Sequence, residues 1–467
     1  MEQYDLVVIG SGPGGYVAAI RSAQLGYKTA LVEKYDTLGG TCTNVGCIPT
    51  KAILDSTHHY DDAVHHFAAH GIQIDGLSMD FGRLYDRKDK VVLQNTQGLN
   101  FLMKKNKVTV IHGTASFVNN STVQVATMTQ GMLSLRATKF IIATGSKPAT
   151  VPGVTIDKER IITSTEALSL QEKPDNIVII GGGVIGVEMA SIFNRLGCGV
   201  TIIEYADRLL ANMDYELGDA LKKILMKDGI EILLKQAVFR TENLGDAAKV
   251  FFKDRDGIEQ VLQADYVLVA VGRKAFTTGL GLENTDVLLD ARGMIVTNEH
   301  LQTAVPHIYA IGDVIGGAML AHKAEEEAIF VVEQIDGQKP KVHYDRIPSV
   351  VYTWPEVASV GATEEDLKAK GITYTVGKFP FSANARARAG MDTQGFVKVL
   401  ADPKYGELLG VHVIGARAAD LIAQGVVGLE YEITADSMSR ISYAHPTYSE
   451  VMKEAYTLAS GRPSVNI

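Results

Sequence analysis

Cysteine is scarce in this chain: three in 467 residues, at positions 42, 47 and 198. So small a set excludes a disulfide-stapled scaffold and falls short of the roughly four ligands a structural zinc or iron–sulfur site needs. Positive charge is also in deficit, with 45 Lys and Arg against 54 Asp and Glu and a formal net charge of -9. That balance argues against nucleic acid and anionic membrane as partners. Long hydrophobic runs are missing as well. The longest candidate, 176–187, is cut by Glu188 and reads as strand plus loop, so no membrane span is expected. A strand-like run from Tyr4 leaves no room for a targeting segment, and the expected location is cytoplasmic. The length calls for two to four domains.

What the chain has in quantity is glycine, 45 residues, and its clustering is informative. "LVVIGSGPGG" leads into a helical stretch and then "KTALVEK"; "IVIIGGGVIG" leads into another and then "GVTIIEY". Both read strand, GxGxxG, helix, strand, acid. The first glycine and the acid, Gly10 and Glu33 or Gly181 and Glu204, are 23 positions apart in each copy. In such a unit the first glycine (Gly10, Gly181) makes the tight turn. The second (Gly12, Gly183) admits a pyrophosphate at the helix N-terminus, and the third (Gly15, Gly186) lets helix and strand close on each other. The acid receives a ribose hydroxyl. The chain therefore binds two dinucleotides. At the second site Glu204 disfavours a 2′-phosphate by charge and no arginine pair follows at once, which favours NAD over NADP; Arg208, four positions on, counts the other way.

The two clustered cysteines stand in "GGTCTNVGCIPTK", five positions apart. In a regular helix that spacing separates α-carbons by about 8–9 Å, beyond the roughly 7 Å a disulfide tolerates. Closure needs a distorted turn, and Gly46 with Pro49 supplies one. Metal and cluster readings fail on ligand count, and a purely structural bridge is out of place in a reducing compartment. A redox-active pair is the remaining reading, with inert buried thiols as its alternative. Cys198 reads as a packed thiol. The stretch "STHHYDDAVHHFAAHG" reads as a solvated helix, although helical spacing of His66 and His70 leaves metal binding open there; no metal site is assigned.

Taken together, "GGTCTNVGCIPTK", the twin glycine units, "ATGS", "AIGDV", "MLAHKAEEEA" and "AHPTYSEVMKEA" resemble the flavoprotein disulfide reductases over nearly the whole chain. Within them the chain resembles the branch that oxidises protein-bound dihydrolipoamide with NAD+. The resemblance implies an α/β fold of two Rossmann-like dinucleotide-binding domains plus a C-terminal α+β dimerisation domain. The boundaries expected are 1–149 with 275–346 for FAD, 150–274 for NAD, and 347–467 for the interface. It implies FAD at Gly10, Gly12, Gly15, Glu33 and Lys34, with Lys51 near the flavin. Gly113, Thr144, Gly145, Ser146, Asp313 and the run Met319, Leu320, Ala321, His322 would make further FAD contacts. NAD would take Gly181, Gly183, Gly186, Val187 and Glu204, with Val238 and Gly272 along the cleft and Glu188 near the nicotinamide. Cys42 and Cys47 would be the redox pair. His445, oriented by Glu450, would be the acid–base serving the partner subunit's disulfide, so a homodimer is implied. Lipoyl domains of an acyltransferase or an H-protein would be the partners. Thr43, Thr50, Tyr443 and Tyr448 depart from the usual pattern without removing a reacting group.

Other members of the family fit less well. Glutathione reductases prefer NADP, mercuric reductases carry a further C-terminal cysteine pair absent from "SVNI", and a transhydrogenase does not need Cys42 and Cys47. A docking subunit without catalysis would not need the complete set of reacting groups.

Overall fold

The runs "LVVI" and "IVII" are apolar at every position, as strands buried on both faces must be. In the computed structural model, which describes residues 2–127 and 131–466, each is the central strand of a parallel sheet. The chain folds into two compact units. One holds Met1–Ala52, Gly82–Ala149 and Gly272–Val342; the other holds Ile53–Phe81, Thr150–Val271 and His343–Ile467.

In the first unit, β1 (Glu2–Ile9) pairs in parallel with β2 (Thr29–Glu33) on one side and with the strand Gly131–Ile142 on the other. Ile308–Ala310 extends the sheet beyond the latter, Thr109–Asn119 extends it beyond β2, and Thr122–Thr127 adds an antiparallel strand. Period-two alternation divides the side chains. Val7, Ile9, Val32, Phe140 and Ile142 fill the core on one face. Leu6, Val8, Leu31 and Ile141 pack on the other against α1 (Pro13–Gln24) and the helix Ala321–Ile335. Strands added on both sides of β1 make its carboxyl end a topological switch point, where ligands bind in such sheets. The glycine loop between β1 and α1 lies there.

The second unit repeats the plan. Asn176–Ile180 lies between Gly199–Glu204 and Tyr266–Val269, all parallel, with Glu231–Leu234 and Ile161–Ile162 at the edges. Three antiparallel strands from Ala237 to Ala264 form a smaller sheet. The C-terminal part is an antiparallel five-stranded sheet whose core includes residues of the helices Ala418–Glu430 and Ser449–Ala459.

One local expectation changes. The histidine-rich segment is not one helix: α3 (Cys47–His65) ends before a 3-10 turn, Phe67–His70, that closes on Gly71 at φ +77°. His66 and His70 therefore lose α-helical spacing, and His66 Nδ1 pairs with Asp62 at 2.9 Å. Among the described residues no group of three or more His, Cys, Asp or Glu is placed to hold a metal.

Candidate active site

The two glycine loops match residue for residue. Gly10 and Gly181 take φ of +99° and +110°, and a Cβ on either would lie 2.4 Å from a carbonyl oxygen, that of Ala143 or Ala270. A Cβ on Gly15 or Gly186 would strike the carbonyl oxygen of the first glycine, at 1.8 and 2.0 Å. Around Gly12 and Gly183 a Cβ would meet nothing within 4 Å. These two are the N-caps of α1 and of the helix Val184–Arg195, and neither offers a side-chain cap. Each loop thus leaves open space at a helix N-terminus whose first N–H groups lack a capping side chain, the arrangement that accepts a pyrophosphate. The residues present fit a dinucleotide at both sites. Val187, one residue beyond the third glycine of the second loop, is fully buried.

The acids repeat as well. Glu33 Oε2 accepts the Ser11 N–H at 2.9 Å and the Ser11 hydroxyl at 2.6 Å, and its Oε1 accepts the Tyr35 N–H at 3.0 Å. Glu204 Oε2 accepts the Gly182 N–H at 2.5 Å and its Oε1 the Ala206 N–H at 2.6 Å. In both copies the residue after the first glycine and the residue two past the acid hold the carboxylate. Sequence reasoning named the acids but not these partners. Their constant intervals, 22 and 2 positions, are the signal that could have found them.

Between the cysteines the helix breaks as the spacing requires. α2 (Gly40–Val45) carries Cys42 and ends at Gly46, at φ -138° and ψ -116°; Cys47 opens α3. A Cβ on Gly46 would sit 2.7 Å from the Thr41 carbonyl oxygen and 3.3 Å from the Cys42 α-carbon, so the break demands glycine. Thr50 secures it by donating both its N–H and its hydroxyl to the Gly46 carbonyl, at 3.1 and 2.6 Å. Asn44 ties α2 back through the Leu38 and Gly40 carbonyls, 2.9 Å each.

Both sulfurs are thiols here, not bonded to each other; Cys42 is half-buried and Cys47 exposed. A hydrogen bond between them, then burial, pushes the Cys42 thiol well above its ordinary range; Glu325 adds to this and Lys51 opposes it. Cys47 occupies the N-terminal end of the 19-residue α3, where the helix field favours a thiolate. The pair is asymmetric: Cys42 is half-buried in α2 with its thiol pushed up, and Cys47 is exposed at the start of α3.

Several predicted FAD contacts converge in the same unit. The Ser146 hydroxyl donates to Asp313. Arg273 donates from Nε to the Ser146 hydroxyl at 2.7 Å and from Nη2 to its carbonyl at 2.9 Å, and approaches Asp313 at 3.8 Å. Gly145, at φ +70°, accepts the Phe276 N–H, and the Thr144 hydroxyl donates to the Phe276 carbonyl at 2.7 Å. The Lys34 ammonium lies 4.0 Å from the Phe276 ring centre. Met319 and Leu320 lead into the helix that starts at Ala321 and His322, again without a side-chain cap. A buried pair holds the Asp313 turn to that helix. Lys323 meets Glu327 at 2.8 Å and donates to the Gly312 and Gly316 carbonyls, while Glu327 accepts the Gly312 N–H. Gly113 has a packing reason of its own: a Cβ there would lie 2.6 Å from the Ala126 carbonyl oxygen. Gly272, at φ +116°, accepts the Ala149 N–H at 2.9 Å.

In the second unit, Glu188 is buried on its helix and accepts the Tyr352 N–H at 2.9 Å. Val238 lies on the antiparallel strand Ala237–Asn243. His445 is 71% exposed, and its Nδ1 is 2.8 Å from Glu450 Oε1. The other Glu450 oxygen accepts the Thr447 N–H at 2.8 Å. Burial opposes the Glu450 charge, but the Thr447 N–H and His445 hold its carboxyl below the usual range. With Nδ1 donating to that carboxylate, Nε2 is the nitrogen free to take a proton.

Known proteins resemble this chain over nearly its whole length. Residues 4–328 match the family described as pyridine nucleotide-disulphide oxidoreductase, and 347–456 match its dimerisation domain. The chain is 45% identical to dihydrolipoyl dehydrogenase 1, mitochondrial, of Arabidopsis thaliana, over 99% of this chain and 91% of that one. It is 46% identical to the mitochondrial dihydrolipoyl dehydrogenase of Caenorhabditis elegans, over 99% and 94%. Among solved structures, the Cu(II) complex of the HOCl-induced flavoprotein disulfide reductase RclA of Escherichia coli superposes with a TM-score of 0.88 at 29% identity, over 98% of this chain and all of that one. The expected cytoplasmic location is overturned, because these curated relatives are mitochondrial enzymes. FAD and NAD are the cofactors of the family. With two family domains matched along most of its length and relatives 45% identical end to end, the chain belongs to the pyridine nucleotide-disulphide oxidoreductases.

Proposed function

We propose that this chain oxidises protein-bound dihydrolipoamide to lipoamide and passes the electrons to NAD+, as a homodimer serving lipoyl domains of an acyltransferase or H-protein. The observation that carries the reading is the asymmetric thiol pair, Cys42 and Cys47, on either side of a glycine break beside a dinucleotide loop. FAD would be held by the 1–149 and 275–346 segments, through the first glycine loop, Glu33, Thr144–Ser146, Asp313 and the start of the helix at Ala321. When bound it supplies a two-electron carrier between the thiol pair and NAD+. The second glycine loop and Glu204, in 150–274, would hold the coenzyme.

His445 Nε2 takes the proton of one substrate thiol, and Glu450 stabilises the resulting cation. The substrate thiolate attacks Cys42 of the Cys42–Cys47 disulfide. A substrate–Cys42 bond forms, the bond to Cys47 breaks, and Cys47 leaves as a thiolate. The second substrate thiol then closes on the first sulfur and displaces Cys42, which takes up a proton. The substrate leaves oxidised, and the pair is left as a Cys42 thiol hydrogen-bonded to Cys47. Loss of the Cys42 proton and of two electrons, which would pass through bound FAD to NAD+, re-forms the disulfide, and His445 returns its proton to solvent. The high exposure of His445 supports a role toward the partner subunit's cysteine pair.

A steady-state assay of dihydrolipoamide oxidation by the holoenzyme tests the reading. Turnover is expected with NAD+, and kcat/KM with NADP+ is expected to be lower by on the order of 10², the effect of setting a phosphate beside a fixed carboxylate. Equal use of NADP+, or no reaction with dihydrolipoamide, contradicts it.

A further inference from the structure

The one arginine close behind the acid of the second glycine unit is turned away from it. Arg208 lies in the loop that follows the strand Gly199–Glu204, and this loop folds back onto the glycines: the Leu210 N–H donates to the Gly182 carbonyl at 3.0 Å. A Cβ on Gly182 would fall 2.5 Å from Leu209 and 3.2 Å from Glu204 Oε2. Arg208 thus springs from backbone that borders the ribose acid. Its side chain nevertheless makes no ion pair with Glu204. The guanidinium centre lies 3.4 Å over the Tyr215 ring, Nη1 meets Asp207 at 3.1 Å and Nη2 donates to the Ala211 carbonyl at 3.2 Å. Nε is buried without a hydrogen-bond partner.

Tyr215 is itself fixed. It is the first residue of the helix Tyr215–Lys227, whose N-cap Asp214 is buried and bound through both oxygens to Lys398 at 3.0 Å.

We infer that Tyr215 is a specificity-determining residue: its ring holds Arg208 off the ribose edge, so that an incoming nucleotide meets the carboxylate of Glu204 without that guanidinium beside it. Discrimination against a 2′-phosphate then has two layers, the charge of Glu204 and the withdrawal of Arg208. The inference rests on the coenzyme reading given above and names residues that act within it.

Calorimetric titration of the holoenzyme with 5′-AMP and with 2′,5′-ADP tests it without recourse to turnover. Glu204→Gln relieves the repulsion. In that background, Tyr215→Ala is expected to tighten 2′,5′-ADP by a further factor of about ten as Arg208 is released, with little change for 5′-AMP. Tyr215→Phe keeps the ring and should reproduce Glu204→Gln alone. Adding Arg208→Met to the Glu204→Gln/Tyr215→Ala protein should abolish the gain. No gain from Tyr215→Ala, or a gain that survives Arg208→Met, overturns the inference. If the wild type binds neither probe, the coenzyme reading itself falls, and this inference with it.

Discussion

Replacing His445 by glutamine should lower dihydrolipoamide-driven reduction of NAD+ by about 10²–10⁴-fold, the usual contribution of a positioned general base. Glutamine keeps the size and a hydrogen bond toward Glu450 but cannot take a proton. The defect should be confined to the thiol half of the reaction. NADH-driven reduction of an artificial acceptor that bypasses the cysteines should stay near the wild-type rate. Glu450→Gln should fall between wild type and His445→Gln, because it leaves the imidazole in place and removes only the carboxylate 2.8 Å from Nδ1. A His445→Gln protein that oxidises dihydrolipoamide normally would remove the histidine from the mechanism. One that loses both half-reactions equally would point to misfolding rather than lost acid–base chemistry.

Lys398→Met should destabilise the protein by about 3–5 kcal/mol, the cost of leaving buried charge without its partner. Lys398 and Asp214 are fully buried, and the ammonium also meets Glu216 at 3.1 Å and Glu364 at 2.5 Å. Without it, three carboxylates remain together, with Lys378 on Glu216 and Lys368 on Glu364 at the rim. The pH dependence has a definite sign. Burial raises the Glu364 carboxyl, but Lys368 and Lys398 outweigh it and bring it from 4.5 to about 2. Its contribution to stability is present above its unfolded value and is lost as pH falls through that folded value. Lys398 moves the opposite way. Burial disfavours its charge, yet Glu364 and Asp214 raise it above its ordinary value of 10.5. Its contribution is present below that value and is lost as pH rises through the folded one. Urea unfolding of the two proteins should therefore show the full gap near neutrality, narrowing as pH falls toward about 2. A gap that stays below about 1 kcal/mol at neutral pH would mean the cluster contributes no more than a surface pair.

What the sequence could reveal follows from how local each feature is. The twin glycine units were legible because strand, turn, helix and acid lie within two dozen residues and the glycines answer to backbone sterics alone. The break between Cys42 and Cys47 was legible for the same reason: five positions, a glycine and a proline state the geometry. Contacts assembled from distant segments were not. Nothing local ties Ser146 to Arg273 and Asp313, 127 and 167 positions away, yet the three share hydrogen bonds. The Lys398 cluster draws its carboxylates from 34 to 184 positions away. Arg208 shows the same limit over a shorter span, since its proximity to Glu204 in sequence was visible and its stack on Tyr215 was not. The histidine-rich stretch failed through a local competitor: the left-handed turn at Gly71 follows a 3-10 segment where unbroken helical spacing had been expected. The cytoplasmic expectation failed because it rested on a strand-like run from Tyr4 and on scarce cysteine, and neither is an address.

The most direct test of the cysteine relay is a thiol count on the holoenzyme. The oxidised protein is denatured and alkylated without reductant, and the labelled sites are read by mass spectrometry before and after anaerobic addition of one equivalent of NADH. The account predicts that only Cys198 is labelled before, and that Cys42 and Cys47 appear together afterwards, as two electrons open their bond. Labelling of Cys42 and Cys47 in the oxidised protein, or their failure to appear after NADH, would contradict it.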